Sequence, residues 1–133
     1  MNKEVIIDND QAALYYHADE KIVHHVFRKF AYGDIVREIL MTGAELLKQR
    51  HAEKWLSDDR ESGVLTVEDI EWAQSVWEPE AIKNGWKYWA VVTPAKAVIR
   101  MNTREFVARY RSQGITVEVF DEPDAAFEWL KAQ

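Results

Sequence analysis

Ala52-Glu53-Lys54-Trp55-Leu56-Ser57-Asp58-Asp59-Arg60 is a short apolar run that ends abruptly in a hydroxyl, two carboxylates and a guanidinium. Lys54 to Ser57 is too short for a helix and follows one, so it reads as a buried strand delivering polar groups to a ligand-accessible edge. Everything else in the chain can be placed relative to this strand.

Upstream, Gly33-Asp34 opens a helix that runs to about Arg50. Its apolar positions Ile35, Val36, Ile39, Leu40, Gly43, Leu46 and Leu47 recur at three- and four-residue spacing, which makes one buried stripe. Asp34 suits an N-cap or a first-turn acid. Before it, Ala12 to His17 and Lys21 to Arg28 flank Ala18-Asp19-Glu20 and are rich in aromatic and β-branched residues. They read as an antiparallel hairpin, preceded by the short apolar run Glu4 to Ile7.

Downstream, Thr66-Val67-Glu68-Asp69 sets a hydroxyl three residues ahead of an acid, close to a capping box, before Ile70, Trp72, Ala73 and Val76. Proline disfavours helical geometry in the residue before it, so this helix is expected to end before Pro79. Trp86 to Thr93 is apolar on both faces apart from Lys87, as in a central strand covered by helices. Pro94 can sit in the first turn of a third helix, whose apolar phase shifts near Asn102-Thr103 and implies a bend or two pieces. Gly114 fits the left-handed residue past a helix end. Ile115 to Phe120 is the last strand, Asp121-Glu122-Pro123 a cap and first turn, and Ala126, Trp129 and Leu130 the stripe of a closing helix.

The expected fold is therefore α/β: a mostly parallel sheet of four to five main strands, an antiparallel N-terminal hairpin and about four packed helices. At 133 residues, without repeats, linkers or low-complexity segments, residues 1–133 read as a single domain. There is no cysteine, which removes disulfides, thiolate metal sites and a cysteine nucleophile. The N-terminal residues lack the roughly 7–15 apolar residues of a signal sequence, and no run approaches the roughly 18 needed to span a bilayer. A cytoplasmic location without stable membrane insertion is the expectation. The net charge of −6 comes from 23 acids against 17 bases. Only Arg100, Arg104, Arg109 and Arg111 form a loose basic set, better read as a solvated helix face than as a nucleic-acid footprint.

Four segments carry a resemblance: Lys-Ile-Val-His-His-Val-Phe (21–27), Lys-Trp-Leu-Ser-Asp-Asp-Arg (54–60), Trp-Lys-Tyr-Trp-Ala-Val-Val (86–92) and Val-Phe-Asp-Glu-Pro-Asp-Ala-Ala-Phe-Glu-Trp-Leu (119–130). They resemble small bacterial proteins of the STAS-like group, related in fold to anti-sigma-factor antagonists and to CRAL-TRIO lipid carriers. The resemblance spans nearly the whole chain and implies a sheet in near-sequential strand order, with no assigned reaction. The antagonist branch carries a phosphorylatable serine at the start of the helix after the third main strand. The matching region here holds Ser57, Ser62 and Thr66 as candidates, and Ser62-Gly63-Val64-Leu65 is similar to that branch's Ser-Gly-Leu.

Several chemistries compete for the polar edge. Ser57, Asp58, Asp59 and Arg60 are candidate ligand- or partner-binding groups, because α/β sheets bind ligands beyond the carboxyl ends of their strands. Two acids and a hydroxyl suit Mg²⁺, and Arg60 suits a phosphate or carboxylate. Successive strand residues point oppositely, however, so Asp58 and Asp59 share an ion only if the chain has already turned. The blander alternative is a loop cap and a surface ion pair.

His24 and His25 face opposite sides of a strand, and no spacing among His17, His24, His25 and His51 matches a metal pair. A carboxylate across the sheet from His24 or His25 would bring general-base chemistry back into play, which places His25 among the candidates. Trp72 and Trp77 lie five residues apart on a helix and cannot share one stripe centrally. One of them, Trp77 beside Glu78-Pro79, is expected at an exposed helix end, and both are candidate contacts for an apolar ligand or a partner.

No Gly-x-Ser-x-Gly elbow or glycine-rich phosphate loop is present, and no cofactor or metal is called for. The leading expectation is a non-enzymatic regulatory or protein-interaction module of STAS-like type, acting through the loop after the third main strand and the next helix, with a homodimer among its forms. The alternative is a small carrier of an apolar or lipid-like ligand. A weaker one is a metal-assisted enzyme using Asp58 and Asp59.

Overall fold

In the computed structural model, which describes residues 3–28, 30–62 and 65–133, six strands form one sheet. They are β1 (Lys3–Asp8), β2 (Ala12–His17), β3 (Ile22–Phe27), β4 (Lys54–Asp58), β5 (Tyr88–Val92) and β6 (Thr116–Phe120), lying side by side in chain order. The pairs β1·β2 and β2·β3 are antiparallel; β3 to β6 are parallel. The expected sheet of four to five main strands is thus a mixed sheet of six. The apolar run at Glu4–Ile7 pairs as its outermost strand, so the antiparallel part is a three-stranded meander and not a lone hairpin.

Parallel neighbours need crossovers, and helices supply them: α1 (Asp34–Arg50), then α2 (Val67–Trp72) with α3 (Glu78–Lys83), then α4 (Ala95–Arg100) with α5 (Thr103–Arg111). Strands added always in one direction by right-handed crossovers keep every connecting helix on one face. That face holds the main core, where Val36, Ile39, Leu47, Trp55, Trp77, Trp86 and Tyr110 pack together. The closing helix α6 (Pro123–Lys131) covers the other face over β4 to β6, with Ala126 and Leu130 on Ile22, Leu56, Ala90 and Val92. Burying side chains the size of Val, Leu or Ile contributes about 1.5–3 kcal/mol each.

The helix after β4 does not end before Pro79. Residues Ala73–Trp77 form a π turn that leads directly into α3, and the Glu78 N–H donates to Ala73 O, five residues back. The wider turn accommodates the proline in the first turn of α3, where a missing N–H costs little. It also changes the phase of the helix. In i→i+5 geometry residues about five apart stack on one side, so Trp77, expected at an exposed end, turns inward and is only 4% exposed. Its ring lies 5.1 Å from that of Trp55 and 4.9 Å from that of Trp86. Trp72 stays half-buried, under the Arg37 guanidinium.

The third helical stretch is two pieces broken at Met101-Asn102, with the Asn102 side chain accepting from the Glu105 N–H. Gly114 is left-handed (φ 87°) after α5. Thr66 caps α2 by accepting from the Asp69 N–H, but Asp69 does not complete a capping box. Its carboxylate instead accepts from the Gly33 N–H at 2.9 Å and ties the start of α2 to the start of α1.

Candidate functional site

β4 alternates as a strand must. Trp55 and Ser57 point to the helix-bearing face, Leu56 and Asp58 to the face of α6. Asp59, the first residue past the strand, is held by its N–H donating to Val92 O, and its carboxylate returns to the helix-bearing face. The two acids therefore part company. Asp58, 5% exposed, takes a two-pronged contact from Arg60, Nε to Oδ1 and Nη2 to Oδ2, both 2.9 Å. The guanidinium that suited a ligand phosphate is engaged by its neighbour two residues back.

Asp59 meets His25 instead. β3 and β4 pair in parallel with His25 opposite Ser57, which sets the imidazole beside the end of β4, and its Nε2 donates to Asp59 Oδ1 at 2.9 Å. On the other side of the ring the Trp55 indole N–H donates to Nδ1 at 3.0 Å. Both imidazole nitrogens are thus engaged. The Ser57 hydroxyl accepts from the Trp89 indole N–H at 2.8 Å. No Ser-His-Asp relay forms, since the histidine reaches the acid and the indole but not the serine. What the chain Trp55–His25–Asp59 does is aim a carboxylate.

That carboxylate sits where two chambers meet. The inner one, about 180 Å³, lies between the sheet and the helices and has His25, Ser57, Trp77, Glu78 and Tyr110 in its wall. The outer one, about 330 Å³, runs along Val91, Ala97, Met101 and Phe106 at the carboxyl ends of β4 and β5. Asp59, Leu65, Ile70 and Trp89 line both, so the two adjoin as one cleft, largely apolar, with His25, Ser57 and Glu78 added in its inner part. It occupies the place where open parallel sheets bind ligands.

A second acid lies at depth. Glu78, 5% exposed, accepts from the Tyr110 hydroxyl at 2.7 Å. Burial pushes its pKa above the usual carboxylate range, opposed by the Tyr110 hydrogen bond and by Arg109. The Tyr110 hydroxyl is itself pushed up, by burial first and then by Glu78.

Of the sequence candidates, His25, Ser57, Asp59 and Trp77 converge on this cleft. Asp58 and Arg60 face the other side, and Trp72 packs near Arg37. Ser57 and Ser62 are 1% and 4% exposed, and the Thr66 hydroxyl caps α2; Gly63 and Val64 of the Ser-Gly-Val-Leu segment lie outside the described residues. Glu78, Tyr110, Trp89 and Phe106 were not singled out for the site. Glu78 and Tyr110 are 32 positions apart, and the only local signal was an acid set between Trp77 and Pro79.

On the opposite face a third hollow, about 440 Å³, lies beside the start of α6, lined by His17, His24, Leu56 and Phe127 among others. His17 Nε2 and His24 Nδ1 are 3.0 Å apart. Burial, then the neighbouring His17 and His25 charges, push His24 down to about 3.

Among the described residues no group of three or more His, Asp or Glu side chains is placed to hold a metal ion, and no helix is long and apolar enough to cross a membrane. No family model, curated protein or solved structure matches the chain. It is an α/β protein with a mixed six-stranded sheet, and its site is read from its own geometry.

Proposed function

We propose that this protein is a non-enzymatic binding module for a small amphipathic molecule, a carrier of STAS-like type, with its site in the two-chambered cleft. The observation that supports this most is that the inner chamber, which holds Ser57, Asp59 and Glu78, and the apolar outer one share Asp59 and Trp89 in their walls. A ligand would set its polar end against Asp59 and lay its hydrocarbon along Val91, Met101 and Phe106. Desolvating such surface favours binding by about 25 cal/mol per Å² before ordering costs are subtracted.

Native mass spectrometry followed by denaturing measurement of the same sample tests the reading, together with tryptophan fluorescence during titration with medium-chain amphiphiles. Added mass lost on denaturation, or a saturable Trp89 response weakened about tenfold by Phe106→Ala, is expected. No adduct and no saturable response to any amphiphile would remove it.

A second reading, the regulatory protein-interaction module expected from the sequence, draws support from Val67 and Val76. They are 71% and 44% exposed on the helical stretch after the β4 loop. A lone monomer in light scattering that retains no partner from native lysate would count decisively against it.

A further inference from the structure

We infer that the cleft selects a primary alkylamine, its ammonium seated in the inner chamber between Asp59 and Glu78 and its chain in the outer one. The inference rests on the ligand-binding reading above and names the chemistry of the head group.

Three features of the chamber point the same way. Its wall carries two carboxyl groups, and neither chamber has a lysine or arginine among its described lining residues. An anionic head would therefore meet two acids with no lysine or arginine side chain among the described residues of the chamber walls. The wall is also aromatic, with Phe27, Trp77, Trp89 and Tyr110 in it, and ring faces attract a desolvated cation. Finally, a primary ammonium has three N–H donors and no acceptor, and Ser57, Asp59 and Glu78 supply side-chain oxygens to receive them. Burying an ammonium without such partners is prohibitive, so the acids serve as the condition for entry as well as the source of preference.

The neighbours of these groups are consistent with that role. Asp59 is held toward the cleft by His25, whose other nitrogen is engaged by Trp55. Glu78 faces Tyr110 and feels Arg109, whose guanidinium lies over the Tyr110 ring and lines a groove that shares Met101 and Phe106 with the outer chamber. Burial raises the Glu78 pKa, and a cation seated beside it would favour the ionised form.

The test is calorimetric titration of the full chain, near neutral pH, with octylamine, 1-octanol and octanoate. Octylamine, charged at this pH, is expected to bind at least about tenfold more tightly than either analogue. Asp59→Asn should weaken octylamine about tenfold or more while leaving 1-octanol within about threefold. Should Asp59→Asn fail to fold by circular dichroism, Glu78→Gln carries the same comparison. If 1-octanol or octanoate binds as tightly as octylamine, the head-group assignment falls and the cleft remains a binding site. If none of the three gives saturable heat, the ligand-binding reading falls with it.

Discussion

The Trp55 indole N–H donates to His25 Nδ1 at 3.0 Å, and that single bond decides what the histidine can do. An indole nitrogen donates only, so Nδ1 must be the bare nitrogen of the ring, and Nε2 carries the proton given to Asp59. The imidazole therefore has no nitrogen to offer a ligand. Asp59 receives its orientation from a fully buried tryptophan two steps away.

Nitrogen NMR of the imidazoles should accordingly show His25 in the Nε2–H tautomer. Trp55→Phe removes the donor, and the ring should then populate both tautomers and hold Asp59 less firmly. The lost bond and the buried acceptor left behind should cost about 1–3 kcal/mol of stability. An unchanged tautomer in Trp55→Phe would show that Asp59 alone orients the ring.

Gly43 offers a test of packing in which helix propensity predicts the opposite sign. It lies within α1, where alanine is favoured over glycine by about 1 kcal/mol. A Cβ at this position would overlap the Trp55 ring, which is wholly buried and has no flexible end to move aside. Overpacking of this kind costs about 1–3 kcal/mol, and the overlap should win. Denaturant unfolding of Gly43→Ala should give a net loss of stability; a net gain would mean that the ring has room to shift.

His24 should produce an acid limb in the stability profile. The unfolded residue takes up a proton below its ordinary value of 6.5, whereas the folded one does so only near 3. Between those values the unfolded chain binds more protons, so stability is complete above 6.5 and falls as the pH drops toward 3. His17, His25 and Lys3 add to the depression and Asp58 opposes it. The loss should be on the order of a few kcal/mol across the window. His24→Phe should flatten this limb in denaturant titrations at stepped pH.

Glu78 should act in the opposite direction. Its folded pKa is raised above the ordinary 4.5, so the folded state holds the proton longer. This contribution is complete below 4.5 and is lost as the pH rises through the raised value. Glu78→Gln should remove that slope. Tyr110→Phe takes away a bond that favours the ionised form, so it should steepen the slope and cost about 1–3 kcal/mol from the unpaired buried oxygen. Equal slopes in wild type and Glu78→Gln would place the titration elsewhere.

Much of the scaffold was legible because it depends on local periodicity. The three- and four-residue stripe of α1, the two-faced apolar run at β5, Thr66 at a cap and a break near Asn102 each follow from neighbours a few residues away. Pro79 misled for the same reason. The rule for the residue before a proline is local, whereas the π turn that overrides it is accompanied by burial of Trp77 among Trp55 and Trp86, which no local window contains.

The site shows the same division. Sequence alone determined that a strand would run from Lys54 to about Ser57, one residue short of its end at Asp58, with successive side chains on opposite sides because a strand repeats every two residues. It also determined the order of strands and helices and the absence of thiol chemistry. Only the tertiary structure decided which acid meets which partner: Asp58 to Arg60 on one face, Asp59 to His25 on the other, and Glu78 to Tyr110 in the cleft. Those pairings join residues on different elements, brought together by sheet register and crossover direction. Side-chain chemistry between such residues depends on distances that the order of residues along the chain does not contain.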